Sequence, residues 1–211
     1  MRWCASHRAD PVAARLADRH YNRQKIGSPQ FAPTGSCCVF LTTCARGFWI
    51  TSAPLAEYVK HAWPGAWICS AFRSEGAGCA SQLIREAVAA TRAHYGEPPP
   101  TLGMVTFINR SCRKCRKRHP VCGCAEPDWI VRPTMVRGVP VWGWTWFKAG
   151  FVDVGETKGG LLAMQLLPDA MPSAYKAKPR SLHGLSLFDQ ERHDATSSRE
   201  TELYTSRMST Q

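Results

Sequence analysis

Cys112, Cys115, Cys122 and Cys124 place four thiols on one short segment in the spacing C-x2-C-x6-C-x-C, with His119 as a spare nitrogen. Four soft ligands so close together suit tetrahedral zinc, and binding would give a segment with almost no apolar residues a reason to fold. Such a zinc would be structural, since four protein ligands leave no open position for catalysis. The alternatives for the same residues are a flexible loop of reduced thiols, or disulfides. Arg110, Arg113, Lys114, Arg116, Lys117 and Arg118 interleave with the first cysteines. Like charges this dense repel one another unless an anion neutralises them, and a nucleic-acid backbone does so with release of counterions. A solvated charge run is the plain alternative.

A second constellation is Phe72-Arg73-Ser74-Glu75-Gly76-Ala77-Gly78-Cys79. It lies between a β-rich run and an amphipathic helix, and its core is the pattern R-x-x-G-x-G. Amides at a helix start carry partial positive charge, and glycines let a pyrophosphate reach the main chain without a Cβ in the way. Phe72, Arg73, Gly76, Ala77, Gly78 and Cys79 are therefore the candidate cofactor-binding residues. The bland alternative is a flexible strand-to-helix turn.

These residues need a scaffold, and the patterning supplies one. Asp10-Pro11 opens a first helix, with Asp as cap and Pro in the first turn. Val12, Leu16 and His20 recur every four residues, which puts His20 on the inward stripe beside Tyr21. The runs 37–42 and 47–51 read as an antiparallel hairpin, 55–62 as a short helix and 66–72 as a further strand. The clearest helix spans 79–95, with Leu83, Ile84, Ala87, Val88 and Thr91 on one face. A buried strand over 102–108 follows, then an insertion over 109–141 that carries the cysteines, a short helix over 144–149, and a last hairpin pairing 151–157 with 161–167. Residues 1–172 thus form one domain, and 173–211 reads as a disordered tail rich in Ser, Thr and charge.

The whole chain has 211 residues, 44% of them apolar and 20% charged, with 15 Pro and 16 Gly spread through it. A coiled coil, a collagen-like repeat and wholesale disorder are excluded. The net charge of +11 favours an anionic partner. No run of about 18 apolar residues is present, and Arg2, His7, Arg8 and Asp10 stand where a signal peptide is apolar. The expectation is a cytoplasmic protein with no membrane partner, whose ten cysteines are reduced.

Strand, glycine turn, amphipathic helix, strand, short helix and hairpin is an order that resembles the GNAT superfamily of N-acetyltransferases, over about residues 10–168. The resemblance implies a mixed-sheet α/β fold. It further implies that the R-x-x-G-x-G turn holds the pyrophosphate of acetyl-CoA or another acyl-CoA, with the pantetheine between two splayed strands, 66–72 and 102–108. Trp146-Phe147-Lys148-Ala149-Gly150-Phe151 is similar to the family's aromatic-x-x-x-G-F ending, with Trp146 where many members carry a tyrosine acid. More specifically, His20-Tyr21-Asn22-Arg23, Cys69-Ser70-Ala71-Phe72-Arg73, Met104-Val105-Thr106-Phe107-Ile108-Asn109 and Gly155-Glu156-Thr157-Lys158 resemble phage DNA-modification acyltransferases of the Mom type. This implies a catalytic centre at His20, Tyr21 and Asn109, the last standing where that group has an acidic residue, and a nucleic-acid acceptor, DNA ahead of RNA. The host cytoplasm is then the location if the chain is phage-encoded. Transfer to tRNA or protein amines, and a nucleic-acid binder of this fold without catalysis, are the other readings.

Overall fold

Asp10 starts the first helix as its spacing predicts. Its buried carboxylate accepts from the Val12 N–H (2.8 Å), the Ala13 N–H (3.3 Å) and the Ser6 hydroxyl (2.6 Å). In the computed structural model, residues 2–23, 25–112, 114–118, 121–124 and 131–180 are described. Arg113 and His119 of the basic loop, and 181–211 of the expected tail, lie outside the described residues.

The strands in chain order are β1 (Trp3–Ser6), β2 (Cys37–Thr42), β3 (Gly47–Ser52), β4 (Trp67–Ser74), β5 (Met104–Ile108), β6 (Thr134–Val136), β7 (Val139–Val141), β8 (Val152–Glu156) and β9 (Leu162–Leu166). Seven of them form one sheet in the order β1-β2-β3-β4-β5-β9-β8, and β6 and β7 make a separate ribbon. Every neighbour in the large sheet is antiparallel except β4 and β5. The helices are α1 (Pro11–Asp18), α2 (Ala80–Tyr95) and α3 (Trp144–Lys148). The fold is therefore α/β with a mostly antiparallel mixed sheet.

Two core layers flank the sheet. Trp3, Trp49, Leu83, Ile84, Val88, Met104, Phe151 and Leu166 fuse into one cluster that takes in the apolar stripe of α2. Leu16 and Ala13 of α1 pack with Val39, Leu41, Phe48 and Ile50 in a second. Strands β2 and β3 are buried almost throughout, which is why their sequences run apolar without alternation.

The structure departs from the sequence expectations in four places. Strand β1 has only four residues and no alternation to betray it; Trp3 fixes it by donating its indole N–H to the Leu83 carbonyl (2.9 Å). The expected helix over 55–62 shrinks to a 3-10 turn at Ala56–Tyr58, because Leu55 and Tyr58 stay exposed and so short a helix has nothing to bury. The insertion is not irregular to its end: Arg137 and Gly138, both at positive φ, turn β6 into β7. Finally, the first residues of the expected disordered tail lie against the domain. Lys178 bonds to Trp3 and Ala5 alongside β1 (both 2.9 Å), and Tyr175 donates to the Ala89 carbonyl (3.0 Å). A strand edge with open backbone groups is thereby covered. No described helix is long and apolar enough to cross a membrane.

Candidate functional site

The one parallel pair positions the site. Strands β4 and β5 are in register only from Trp67 and Met104 to Cys69 and Thr106, where the Thr106 hydroxyl donates to the Cys69 carbonyl (3.2 Å). Beyond that point β4 continues to Ser74 and β5 to Ile108 with no pairing between them. On the other edge of β4 the register with β3 slips between Ile50 and Thr51, so Ser70 is an extra residue. Such a bulge bends a strand, here at the place where β4 leaves β5.

His20 and Tyr21 stand at this divergence, one on each strand. The Tyr21 hydroxyl donates to the Phe107 carbonyl of β5 (3.4 Å) and accepts from the Asn109 N–H. His20 accepts the Asn22 N–H on Nδ1 (3.2 Å), which leaves the proton on Nε2 to donate to the Phe72 carbonyl of β4. The rings lie 4.5 Å apart, and Phe48 meets His20 edge-on. Burial, helped by the Arg73 charge, pulls His20 down to about 4, so it is neutral at pH 7. Burial pushes the Tyr21 phenol up. Both side chains are committed to backbone, and the lone pair that a general base would use is occupied. His20 thus contacts β4 and Tyr21 contacts β5 where the two strands part. Asn109 caps the end of β5 by accepting the Ser111 N–H on Oδ1 (3.0 Å).

The glycine turn follows directly. Arg73 pairs with Glu75 (2.7 Å) and donates to the Arg19 carbonyl (2.5 Å), while Arg19 also pairs with Glu75. The turn is tied down by the Glu75 N–H to the Arg46 carbonyl (2.7 Å) and the Ala77 N–H to the Ser74 hydroxyl (3.3 Å). Gly76 and Gly78 have φ of +74° and +135°, and each open α-carbon faces a guanidinium. A Cβ on Gly76 would lie 2.7 Å from Arg46 Nη2, and one on Gly78 would lie 2.5 Å from Arg2 Nη1. Two cations thus overhang glycine backbone at the start of α2, a geometry suited to a phosphate group. Arg2 is oriented by Glu86 (2.9 Å) and Gln82 (3.2 Å). Neither Arg2 nor Arg46 is readable from the motif, since both arrive from other elements. Cys79 is the N-cap of α2, makes no side-chain cap bond and is exposed, and the Ser81 hydroxyl holds its thiol below the ordinary value. The Phe72 ring points into the core between Trp49 (6.0 Å) and Trp146 (5.9 Å), so its carbonyl is what it offers the site.

From this turn a cleft of about 220 Å³ runs toward the divergence, lined by Tyr21, Arg73, Ile108, Arg132, Trp144 and Trp146. Trp146 packs on Trp49 (5.9 Å) and Phe151 (5.0 Å), and its indole is no acid at neutral pH.

The cysteine loop is folded around its thiols. All four sulfurs lie within 4.8 Å of one another, and Cys115 and Cys122 are 3.4 Å apart. Zn–S bonds of about 2.3 Å put tetrahedral sulfurs roughly 3.8 Å apart, so the loop needs only a small contraction to close on an ion. A tight turn carries the first pair: Cys112 N–H bonds to Lys117 (2.8 Å), Arg116 N–H bonds back to Cys112 (3.0 Å), and Arg116 has φ of +61°. The Cys115 and Lys114 N–H groups hold the Cys112 thiol down at about 6, as befits a ligand that binds as thiolate. This cluster can hold a metal ion. None of the ten cysteines is in a disulfide.

The basic residues of the loop divide. Arg110 is largely buried and pairs with Glu156, so the structure spends it on the last hairpin rather than on an outside anion, while Arg118 only approaches Glu156 (3.9 Å) and stays exposed. Lys114, Arg116 and Lys117 are exposed. Arg113 is outside the described residues. The cysteine pair spacing gave no hint of Glu156, the anchor that ties the loop to the sheet. No family model, curated protein or solved structure matches this chain, so the geometry alone carries the reading of the site.

Proposed function

We propose that this chain is an acyl-CoA-dependent N-acyltransferase with a GNAT-like fold, acting on an exocyclic amine of a nucleic-acid base, DNA ahead of RNA. The observation that carries the reading is the divergence of β4 and β5 immediately before the Arg73–Gly78 turn. An extended chain ending in a pyrophosphate fits that arrangement: phosphates on the glycine backbone between Arg2 and Arg46, and a thioester arm in the gap where His20 and Tyr21 contact the two strands. In the transfer the amine nitrogen bonds to the acyl carbon as the C–S bond breaks, and the amine proton passes to the departing thiolate, so that an amide and free CoA thiol are formed. A backbone N–H of either strand beyond Cys69 and Thr106, where the two no longer pair with each other, would orient the thioester carbonyl, and most of the rate would come from alignment and carbonyl polarisation. We assign the metal of the four cysteines as structural zinc, and the exposed Lys114, Arg116 and Lys117, with Arg113, as contacts to nucleic-acid phosphates.

Calorimetry with acetyl-CoA tests the cofactor site. The parent should bind it and Gly78→Glu should not; equal affinity in both rejects the assignment. Intact-nucleoside mass spectrometry of DNA and RNA from expressing cells tests the acceptor. A second reading, nucleic-acid binding without chemistry, draws on the occupied His20 lone pair and on Trp146; it predicts no modified nucleoside and no acetyl-CoA binding.

A further inference from the structure

The insertion ends in a ribbon that the cofactor site does not use. Strands β6 and β7 pair only with each other and are closed by the turn Arg137-Gly138. Both legs of the ribbon are rooted in the wall of the cofactor cleft: Val131, Arg132 and Thr134 line it on the way in, Gly143 and Trp144 on the way out. The exit is pinned to the sheet, because a Cβ on Gly143 would lie 2.2 Å from the Met164 sulfur of β9. At about 3.4 Å per residue, the two short strands carry the tip on the order of 10 Å from these roots.

The ribbon keeps its apolar side chains at solvent. Register sets Met135 opposite Pro140 on one face, and both are exposed, Met135 to 61%. Val139, next to the turn on the other face, is 60% exposed. A two-stranded ribbon gains little from folding alone, and contiguous apolar groups left at its surface mark a contact. The charges identify the partner. Residues 131–141 hold two arginines, Arg132 at the root and Arg137 at the tip, and no acid. Neither guanidinium pairs with a carboxylate among the described residues. Exposed Lys114, Arg116 and Lys117 belong to the same insertion. Duplex nucleic acid matches both halves of this surface, with phosphates for the arginines and a base stack for the apolar face.

We infer that the β6–β7 ribbon enters a groove of duplex DNA and wedges Met135 and Pro140 into a base step, so that the target base turns out of the stack at the mouth of the cofactor cleft. A two-stranded ribbon fits a groove, and Met and Pro are among the side chains that unstack a step. The inference rests on the acyltransferase reading and deepens it, since chemistry on a base inside a duplex requires that the base leave the stack. Because the ribbon is rooted in the cleft wall, a base displaced at the wedge emerges on the side of the thioester. Arg137 at the tip meets the phosphates that flank the opened step.

The test uses the full chain and duplexes of about 20 base pairs, two helical turns, each carrying one 2-aminopurine between a different pair of flanking bases. Its fluorescence rises on unstacking, anisotropy of an end label reads binding, and calorimetry on the same preparations reads acetyl-CoA. The parent should bind the duplexes and raise the 2-aminopurine signal in at least one context. Met135→Ala combined with Pro140→Ala, both at exposed positions, should keep most of the affinity, which phosphate contacts carry, and lose most of the rise. Met135→Leu should retain the rise. The defect of the double variant should vanish when the 2-aminopurine faces an abasic site, where the base is already loose. Arg137→Ala should lower the salt slope by about 1. A parent that gives no rise in any context overturns the inference, as does a folded double variant that opens the duplex like the parent. A ribbon that serves a second copy of the chain instead gives a parent dimer that the double variant dissolves, with no rise from either, and this too overturns it. Opening of the duplex without acetyl-CoA binding keeps the ribbon assignment and removes the acyltransferase reading. Acetyl-CoA binding without opening does the opposite.

Discussion

Chelating the metal from the Cys112–Cys124 loop should melt that loop and leave the sheet intact. Ordering about a dozen residues costs roughly 1 kcal/mol each or more, of order 12 kcal/mol in all. Against this the described residues of the loop make three internal backbone hydrogen bonds, from Cys112, Arg116 and Cys122, worth together about 3 kcal/mol. Cys112 is its one fully buried side chain among the described residues, so hydrophobic burial adds little. The shortfall is near 9 kcal/mol, and structural zinc on four thiolates supplies about 10–16 kcal/mol. The loop balances only with its metal. The core clusters draw on it little, so global unfolding should not follow. Metal analysis of protein purified without chelators should give about one zinc per chain. Hydrogen exchange before and after chelation should then show amides at Cys112, Arg116 and Cys122 losing protection while those of β2, β3 and α2 keep it. Acidification should act like chelation, because protons compete with the metal for the thiolates. A metal-free chain whose loop amides stay protected would refute the reasoning.

Gly76→Ala should lower stability by about 1–2 kcal/mol, because φ of +74° is a left-handed position and the new Cβ meets Arg46; it should also weaken acetyl-CoA binding, read by denaturant titration and calorimetry. Changing Arg113, Lys114, Arg116 and Lys117 together to Ala should flatten the salt dependence of nucleic-acid binding by roughly 0.7–0.9 for every phosphate that is no longer neutralised, with acetyl-CoA affinity unchanged. Arg110→Ala should leave that slope alone, since Glu156 already holds this charge; an equal flattening would place Arg110 on the phosphates. Stability should also depend on His20: its pKa is 6.5 in an unfolded chain and about 4 in the fold. Its contribution is therefore complete above about pH 6.5 and declines as the pH falls toward 4, by about 3 kcal/mol in total. Urea titrations across that range should show the decline in the parent and lack it in His20→Gln; parallel profiles would mean that another group carries the acid sensitivity.

Local chemistry decided what could be read without coordinates. Asp10-Pro11, the α2 stripe ending at Gly96, the runs of β2 and β3, and the C-x2-C…C-x-C spacing each act through neighbours a few residues away, and each stands in the structure as its pattern predicts. Strand β1 has no such local signal: it exists because Trp3 reaches Leu83 and because residues near Lys178 close its edge. The same holds for the site. The sequence placed glycines and an arginine in one turn, but the guanidiniums of Arg2 and Arg46 come to it from the residue before β1 and from the turn between β2 and β3. It marked six cations as a phosphate surface, and only the packing of the last hairpin showed that Glu156 claims Arg110. It offered His20 and Tyr21 as chemistry; that they bond to the Phe72 and Phe107 carbonyls of two strands that part beside a bulge at Ser70 is visible only in the fold. Charge pairing, burial and strand divergence are properties of distances between remote segments, and those distances are set by the fold.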